Sequence, residues 1–529
     1  MRKIFSPYPY NGGRRTIFKE ENGNFIDKTN GSCKNKKSFH TLPDSVFQAA
    51  TGLFFCKGAD SVTQLIERFL ACDRTLKPGE IRGPLPSIRE GYSTAFRIAW
   101  PSIGETVRSS LISSVDTMMV GGCGPAAIAA VGLTTQPRFV FLALILSFNV
   151  GVTAVISRRK GAEDEEGVQR CLKQAVAISA AASLVLTLLS FFLAEPLVML
   201  AGAESDTVDY ATDYFRIVMI GALFSNIGLT INAAQRGVGN TKISMKTNLI
   251  ANVVNLFFNW LLINGVWFFP ELGVTGAAVA TALGNLVAML LSVRSVCRKK
   301  ATLKLFSSVS WGFDRATVSS LLNVASSAAV EQVFMRIGFF LYAAMVARLG
   351  TNAYATHQIC MNILNLSFAV GDGLSIASSA LVGQNLGAQR PDLSKLYCTI
   401  AQRIAFCFST VIFLIFFFGR FFLVGLFTDD GTIIQAGSQL LVIAAFTTHI
   451  QTAQVILSGC LRGAGDTRFV AGVSFLSIGL VRPLLTYLFC FPFDWGLVGA
   501  WVTLLVDQTM RMGLNKLRFN GGKWTQKKL

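Results

Sequence analysis

From Ser93 to about Leu517 the chain reads as long apolar runs broken by Gly, Pro and charge, and about twelve helices of membrane-crossing length fit that pattern. The predicted spans are approximately 93–120, 126–157, 170–193, 207–237, 243–266, 273–297, 318–348, 353–382, 397–418, 433–463, 469–490 and 496–517. Several exceed the ~20 residues needed to cross a bilayer, so tilt or helix ends outside the lipid are expected. Residues 1 to about 90 break the pattern, with polar and basic clusters such as Lys34-Asn-Lys-Lys37 and no run of spanning or signal-peptide form. They read as a disordered cytoplasmic tail with a short helix near 62–72, and a gene start set too early explains them equally well. The expected division is a tail (1–90), a six-helix bundle (91–300), a linker (301–317), a second six-helix bundle (318–520) and a short tail (521–529).

The two bundles repeat each other. The apolar run Val324–Gly350 carries one acid, Glu331, and the run Ala99–Gly124 carries Glu105, an offset of 226 residues. The same offset pairs Gly161-Ala162 with Gly387-Ala388 and Arg236-Gly-Val-Gly-Asn-Thr-Lys242 with Arg462-Gly-Ala-Gly-Asp-Thr-Arg468. After a slip of three residues, Gly273-Val-Thr-Gly-Ala277 matches Gly496-Leu-Val-Gly-Ala500. An even number of helices per half gives both halves one orientation, related by a pseudo-two-fold along the membrane normal and enclosing a central cleft.

Composition agrees with a bilayer: 52% of residues are hydrophobic, 15% are charged and the mean hydropathy is +0.49. The net charge of +18 comes from basic residues lying mainly between apolar runs, so it is explained by topology and nucleic-acid binding is not expected. Loops after even-numbered helices hold Arg158, Arg159, Lys160, Lys242, Lys246, Arg298, Lys299, Lys300 and Arg390, which places both termini in the cytoplasm. The eleven cysteines show no metal-like spacing, and neither a metal nor a disulfide framework is inferred.

Several motifs together resemble the MATE family of multidrug and toxic-compound extrusion transporters. They are Pro101, Val115-Asp-Thr-Met-Met-Val-Gly121, Gly383-Gln-Asn-Leu-Gly-Ala388, Gln454-Val-Ile-Leu-Ser-Gly-Cys-Leu-Arg-Gly463, and the paired Gly-Asn-Thr-Lys242 and Gly-Asp-Thr-Arg468. The resemblance implies a secondary antiporter that exports organic, often cationic, compounds in exchange for H⁺ or Na⁺, with no other cofactor. It also implies that Glu331 matches the acid of the seventh helix used for cation coupling, and that Asp116 matches the aspartate of the first. One departure stands out: where sodium-coupled members carry an acid in the tenth helix, this chain has Gln451, with His449 two residues earlier.

An ionisable group at membrane depth is a functional candidate by default. Glu331, Glu105 and Asp116 are the expected cation-coupling residues, with Glu331 in a largely apolar cleft. Glu105 and Asp116 share a helix face with Arg108, which fits a proton relay and equally an ion pair between Glu105 and Arg108. Asn252, Asn255 and Asn259 form one polar stripe that fits either lining the cleft or joining helices by hydrogen bonds, and with His449, Gln451, Tyr342 (the repeat-mate of Asp116) and Arg216 they are the candidates for lining the cleft. Arg482 and Asp507 fit an interhelical pair or two snorkelling ends. The RGxGxT segments lack Walker spacing and read as turns whose basic residues anchor topology. The expected protein is an all-α, monomeric antiporter of the cell membrane acting on a small organic substrate. Its rivals are an exporter of an anionic metabolite such as a flavin nucleotide, suggested by several intramembrane arginines, and a flippase for lipid-linked precursors. An enzyme is not expected, since no nucleophile–base pair or metal-ligand cluster is evident in the spans.

Overall fold

A computed structural model describes residues 71, 76, 78–121, 125–200, 208–265, 269–298, 301–309 and 311–527, with backbone alone for much of 110–136. The expectations for residues 1–70 lie outside the described residues. The first lobe contains α1 (Ile88–Gly121), α2 (Pro125–Gly161), α3 (Glu165–Phe192), α4 (Ala194–Leu200), α5 (Val208–Gly237), α6 (Thr241–Ile263) and α7 (Gly273–Cys297). The second contains α8 (Arg315–Ala347), α9 (Thr351–Gly387), α10 (Pro391–Phe418), α11 (Arg420–Gly425), α12 (Gly431–Gly463), α13 (Thr467–Ser474), α14 (Arg482–Cys490) and α15 (Gly496–Asn520), with the π-helical segment Phe475–Val481 joining α13 to α14. Counting α13 to α14 as one rod, these are the expected spans plus two short helices, α4 and α11, which themselves begin at the repeat offset.

Among the described residues nine helices are long and apolar enough to cross a membrane by composition alone. The rods α1, α6 and α15 fall outside that set because they hold the intramembrane polar residues: Glu105 and Arg108, the α6 asparagines, and Asp507 with Arg511.

Local chemistry sets the helix ends. Pro391 opens α10, where its missing N–H costs no hydrogen bond. Asp314 caps α8 by accepting from the backbone of Ala316 and Thr317, and the Thr317 hydrogen bonds hold its carboxyl below the ordinary aspartate range. The RGxGxT turns end α5 and α12 identically: Gly239 and Gly465 both take φ of 85°, a region that suits glycine. Each turn closes with a backbone bond onto the residue before its arginine, Asn240 to Gln235 (2.8 Å) and Asp466 to Leu461 (2.9 Å). The π-helical segment precedes Pro483, which cannot donate into the helical ladder. The α13-to-α14 rod is one residue longer than α6, and the loop after it four residues shorter, which together make the three-residue slip.

The lobes meet where α1 packs on α9 and α2 packs on α8 and α9. The tightest crossing is α2 on α9. A side chain at Gly161 would strike the backbone of Gln384, one at Gly387 would strike that of Arg158, and Gly383 lies against Ser157. These residues are repeat-mates of one another, so the pseudo-two-fold axis passes through this crossing, near the end of the bundle that carries the RGxGxT turns. At the same end Arg158 donates to the carbonyl of Lys527 (2.8 Å).

The segment before α1 is not free up to residue 90. The backbone N–H of Arg82 donates to Asp392 (3.1 Å), Glu80 pairs with Lys395 (2.7 Å), and Arg390 donates to the carbonyl of Pro84 (3.1 Å), so residues 80–84 are strapped to the start of α10. The linker between the lobes is likewise docked. Leu303 and Leu305 are buried in the first lobe's core, and Lys173 of α3 donates to the carbonyls of Ser307 (3.0 Å) and Val309 (2.5 Å).

Candidate functional site: mirrored carboxylates and two unequal interiors

Each lobe builds the same charged pair. In the first, Glu105 lies 3.6 Å from Arg236 and accepts from Ser244 (2.9 Å) and Asn248 (2.5 Å). In the second, Glu331 lies 3.0 Å from Arg462 and accepts from Ser474 (3.2 Å). Glu105 and Glu331, Arg236 and Arg462, and Asn248 and Ser474 are all repeat-mates. The turns explain the placement: closing α5 and α12 directly after the arginine turns its guanidinium back toward the neighbouring acid.

Three expectations are corrected here. Arg236 and Arg462 are partners of the acids rather than topological anchors alone. Arg108 donates to the carbonyl of Met245 (3.2 Å), and the salt bridge of Glu105 is to Arg236. Glu331 is 2% exposed but hydrogen-bonded and ion-paired, not a lone carboxyl in an apolar cleft, because a buried carboxylate is tolerated only when such donors replace its water.

The second lobe concentrates further charge around Glu331. Arg482 and Asp507 form a fully buried pair to which Ser477 also donates, so they do not snorkel to the interface. The guanidinium of Arg482 sits 4.9 Å over the Phe339 ring. Buried Arg511, one turn from Asp507 on α15, has Asp507 and Glu331 as opposite-charge neighbours, and Arg462 and Arg511 in turn face Asp372 of α9. Asp372 is exposed, and it continues a face of α9 bearing Gln358, Asn362 and Asn365, all exposed polar groups at membrane depth. Such a stripe fits a cleft wall and not a lipid-facing surface. Both amide atoms of buried Gln451, and Oε1 of Gln454 and of Gln508, have no partner among the described residues, which calls for water or ligand atoms in this interior.

The first lobe instead keeps open space. Asn252 and Asn255 line a cavity of about 250 Å³ with Ser109, Arg138, Thr281 and Asn285, and Asn255 also donates to Thr281 of α7 (3.4 Å). Asn259, a turn deeper, is buried outside that lining.

The other cleft candidates lie elsewhere. The Tyr342 hydroxyl donates to the carbonyl of Ala500 (3.2 Å) inside the core, because a buried hydroxyl needs a partner. The ring of His449 is hydrogen-bonded to Thr410 (3.1 Å) between Phe406 and Phe413, in the α10–α12 contact. Arg216 turns to Asp213 (3.8 Å) on its own helix and covers Phe191. Asp116 lies in α1, and its side chain is outside the described residues. Arg511, Gln508 and Asn515 were missed as site residues. The signal available for them was spacing, since with Asp507 they fall on one face of a helix at membrane depth.

The family model described as MatE matches residues 101–261 and 327–488, one stretch in each lobe. The chain is 27% identical over 446 residues to a probable multidrug resistance protein NorM of Thermotoga maritima, covering 84% of this chain and 95% of that protein. It is 24% identical over 434 residues to the uncharacterized transporter YisQ of Bacillus subtilis, covering 82% and 95%. Among solved structures, an outward-facing multidrug resistance MATE family transporter of the MOP superfamily superposes with a TM-score of 0.76 at 21% identity, covering 82% of this chain and 96% of that one. A MOP superfamily transporter from Pyrococcus furiosus, described as having a binding pocket of reversed polarity, superposes with a TM-score of 0.76 at 20% identity, covering 83% and 97%.

Proposed function

Because this chain belongs to the MatE family of membrane transporters, we propose that it is a multidrug efflux antiporter, moving small organic compounds against H⁺ or Na⁺ by alternating access. The observation that carries this reading is the Glu–Arg pair, half-buried in the first lobe and with a buried carboxylate in the second, repeated about an axis through the Gly161–Gly387 crossing. A two-lobe body pivoting there exposes its interior to one side or the other, and a pair whose strength depends on protonation biases which side. With Glu331 ionised, Arg462 is held; a proton or a competing cation at Glu331 frees that guanidinium toward Asp372. Coupling is then a difference in affinity between the two facing states, with Glu331 as its principal residue and Glu105 and Asp116 as lesser contributors. The protein acts as a monomer in the cell membrane with both termini in the cytoplasm.

Transport in proteoliposomes under imposed pH or Na⁺ gradients, with ethidium and riboflavin phosphate as contrasting substrates, tests the reading. Glu331→Gln should abolish gradient-driven export at unchanged membrane level, and Glu105→Gln should reduce it less. Full pH-driven and Na⁺-driven export by Glu331→Gln would overturn the assignment and move the search to Asp116. A second reading, export of an anionic metabolite, is supported by Arg138, the one charged residue among the described residues that line the first lobe's cavity. Preference for riboflavin phosphate over ethidium would favour it.

A further inference from the structure

Two open grooves flank the linker between the lobes, and both are basic. One, of about 870 Å³, is lined by Arg315 and Arg468 with Ser319, Asn323, Leu322 and Phe313. The other, of about 400 Å³, is lined by Lys246, Arg294 and Arg298 with Ile250 and Leu291. Among the described residues no acid lines either groove, and all five cations are exposed. The nearest acid in sequence, Asp314, is committed to capping α8. At 2.7 Å the guanidinium of Arg468 donates to Asn323, which holds it at the groove edge without neutralising it.

The apolar parts of the same surface point to the kind of ligand. Phe313 is 67% exposed, Phe306 77% and Trp311 49%, in a linker pinned beneath them by Lys173. Leu322 on α8 and Ile250 on α6 continue exposed apolar surface from the grooves along the helices. All five cations lie within about 8 Å of a helix end at the linker side, at ~1.5 Å of rise per residue. Uncompensated positive charge at one level, aromatic side chains beside it and apolar helix faces running away from it match the headgroup, interface and acyl chain of a lipid in turn.

We propose that these grooves bind anionic phospholipid, the phosphate held by Arg315 and Arg468 in one and by Lys246, Arg294 and Arg298 in the other. The lipid therefore sits at both ends of the linker that joins the two lobes.

Native mass spectrometry of the purified full chain, with phosphatidylglycerol titrated against phosphatidylcholine, tests this. Retained phosphatidylglycerol should fall in Arg315→Gln/Arg468→Gln and in Lys246→Gln/Arg294→Gln/Arg298→Gln, by about five-fold in affinity per basic residue removed. It should hold in Arg420→Gln, whose guanidinium lies over Phe417 and Phe421 at the opposite end. A second measurement needs no arginine variant: brominated phosphatidylglycerol should quench the Trp311 contribution, defined by difference from Trp311→Phe, more than brominated phosphatidylcholine does. Equal retention by folded groove variants, equal quenching by the two lipids, or displacement of the lipid by millimolar inorganic phosphate would each overturn the proposal, the last by identifying free phosphate as the ligand.

Discussion

The two lobes are one frame with two interiors. Both keep the Glu–Arg pair and both contribute to the α2–α9 crossing, but they differ where α6 meets α7 and where α14 meets α15. In the first lobe Asn255 packs against Gly284, beside a cavity that also admits Asn285. Once the extra residue of the second lobe is allowed for, Arg482 takes the place of Asn255, Asp507 that of Gly284 and Gln508 that of Asn285. A cavity in one lobe is thus a buried ion pair in the other. Contacts between lobes and pairs at the turns constrain the repeat, whereas the lobe interior can be given over either to a ligand or to internal charge.

The sharpest way to break the comparison is to remove half of what fills the second lobe. Arg482→Leu leaves Asp507 buried and unpaired and should cost about 3–5 kcal/mol in thermal unfolding of the purified protein, while Arg482→Leu/Asp507→Leu should recover most of that loss. Next come the mirrored arginines. Arg462→Gln should destabilise by ~1.5–3 kcal/mol and Arg236→Gln by less, since Glu331 is 2% exposed and Glu105 13%; equal losses would mean the two pairs are equivalent. Filling the first lobe's cavity with Asn252→Phe should raise the KM for a transported compound about ten-fold, equivalent to ~1.4 kcal/mol of binding, with little change in Tm. A similar KM in the variant would separate that cavity from the transport route. The smallest effect is expected of Tyr342→Phe, which loses one buried hydrogen bond worth ~1 kcal/mol and should leave transport unchanged.

Span positions and the duplication were legible in the sequence because each is periodic: apolar length and a constant offset; the asparagine stripe was legible as helical spacing, but spacing does not say which of its members faces a cavity. The short helices α4 and α11 were not, being only 7 and 6 residues long and without a membrane-length run. Tyr342, His449 and Arg216 were misplaced because a polar residue in a span must find some partner, and sequence does not say whether that partner is a core carbonyl, a neighbouring hydroxyl or a cleft. The arginine partners of Glu105 and Glu331 are 131 residues away in each half, beyond any local rule. Yet acid and arginine recur at one shared offset, which is a pairing signal that a duplicated chain offers and a single-copy chain does not.

At Phe475–Val481 the π turn acts as a spacer: it takes one more residue per turn than an α-helix, so it swallows the additional residue and the rod beyond it keeps the compass bearing of its counterpart in the first lobe. Ser474 therefore addresses Glu331 as its counterpart addresses Glu105, and Arg482, one number out of step, still arrives where Asn255 stands in the first lobe and meets Asp507 there. One inserted codon thus changes the count along the rod without changing which way its far end faces.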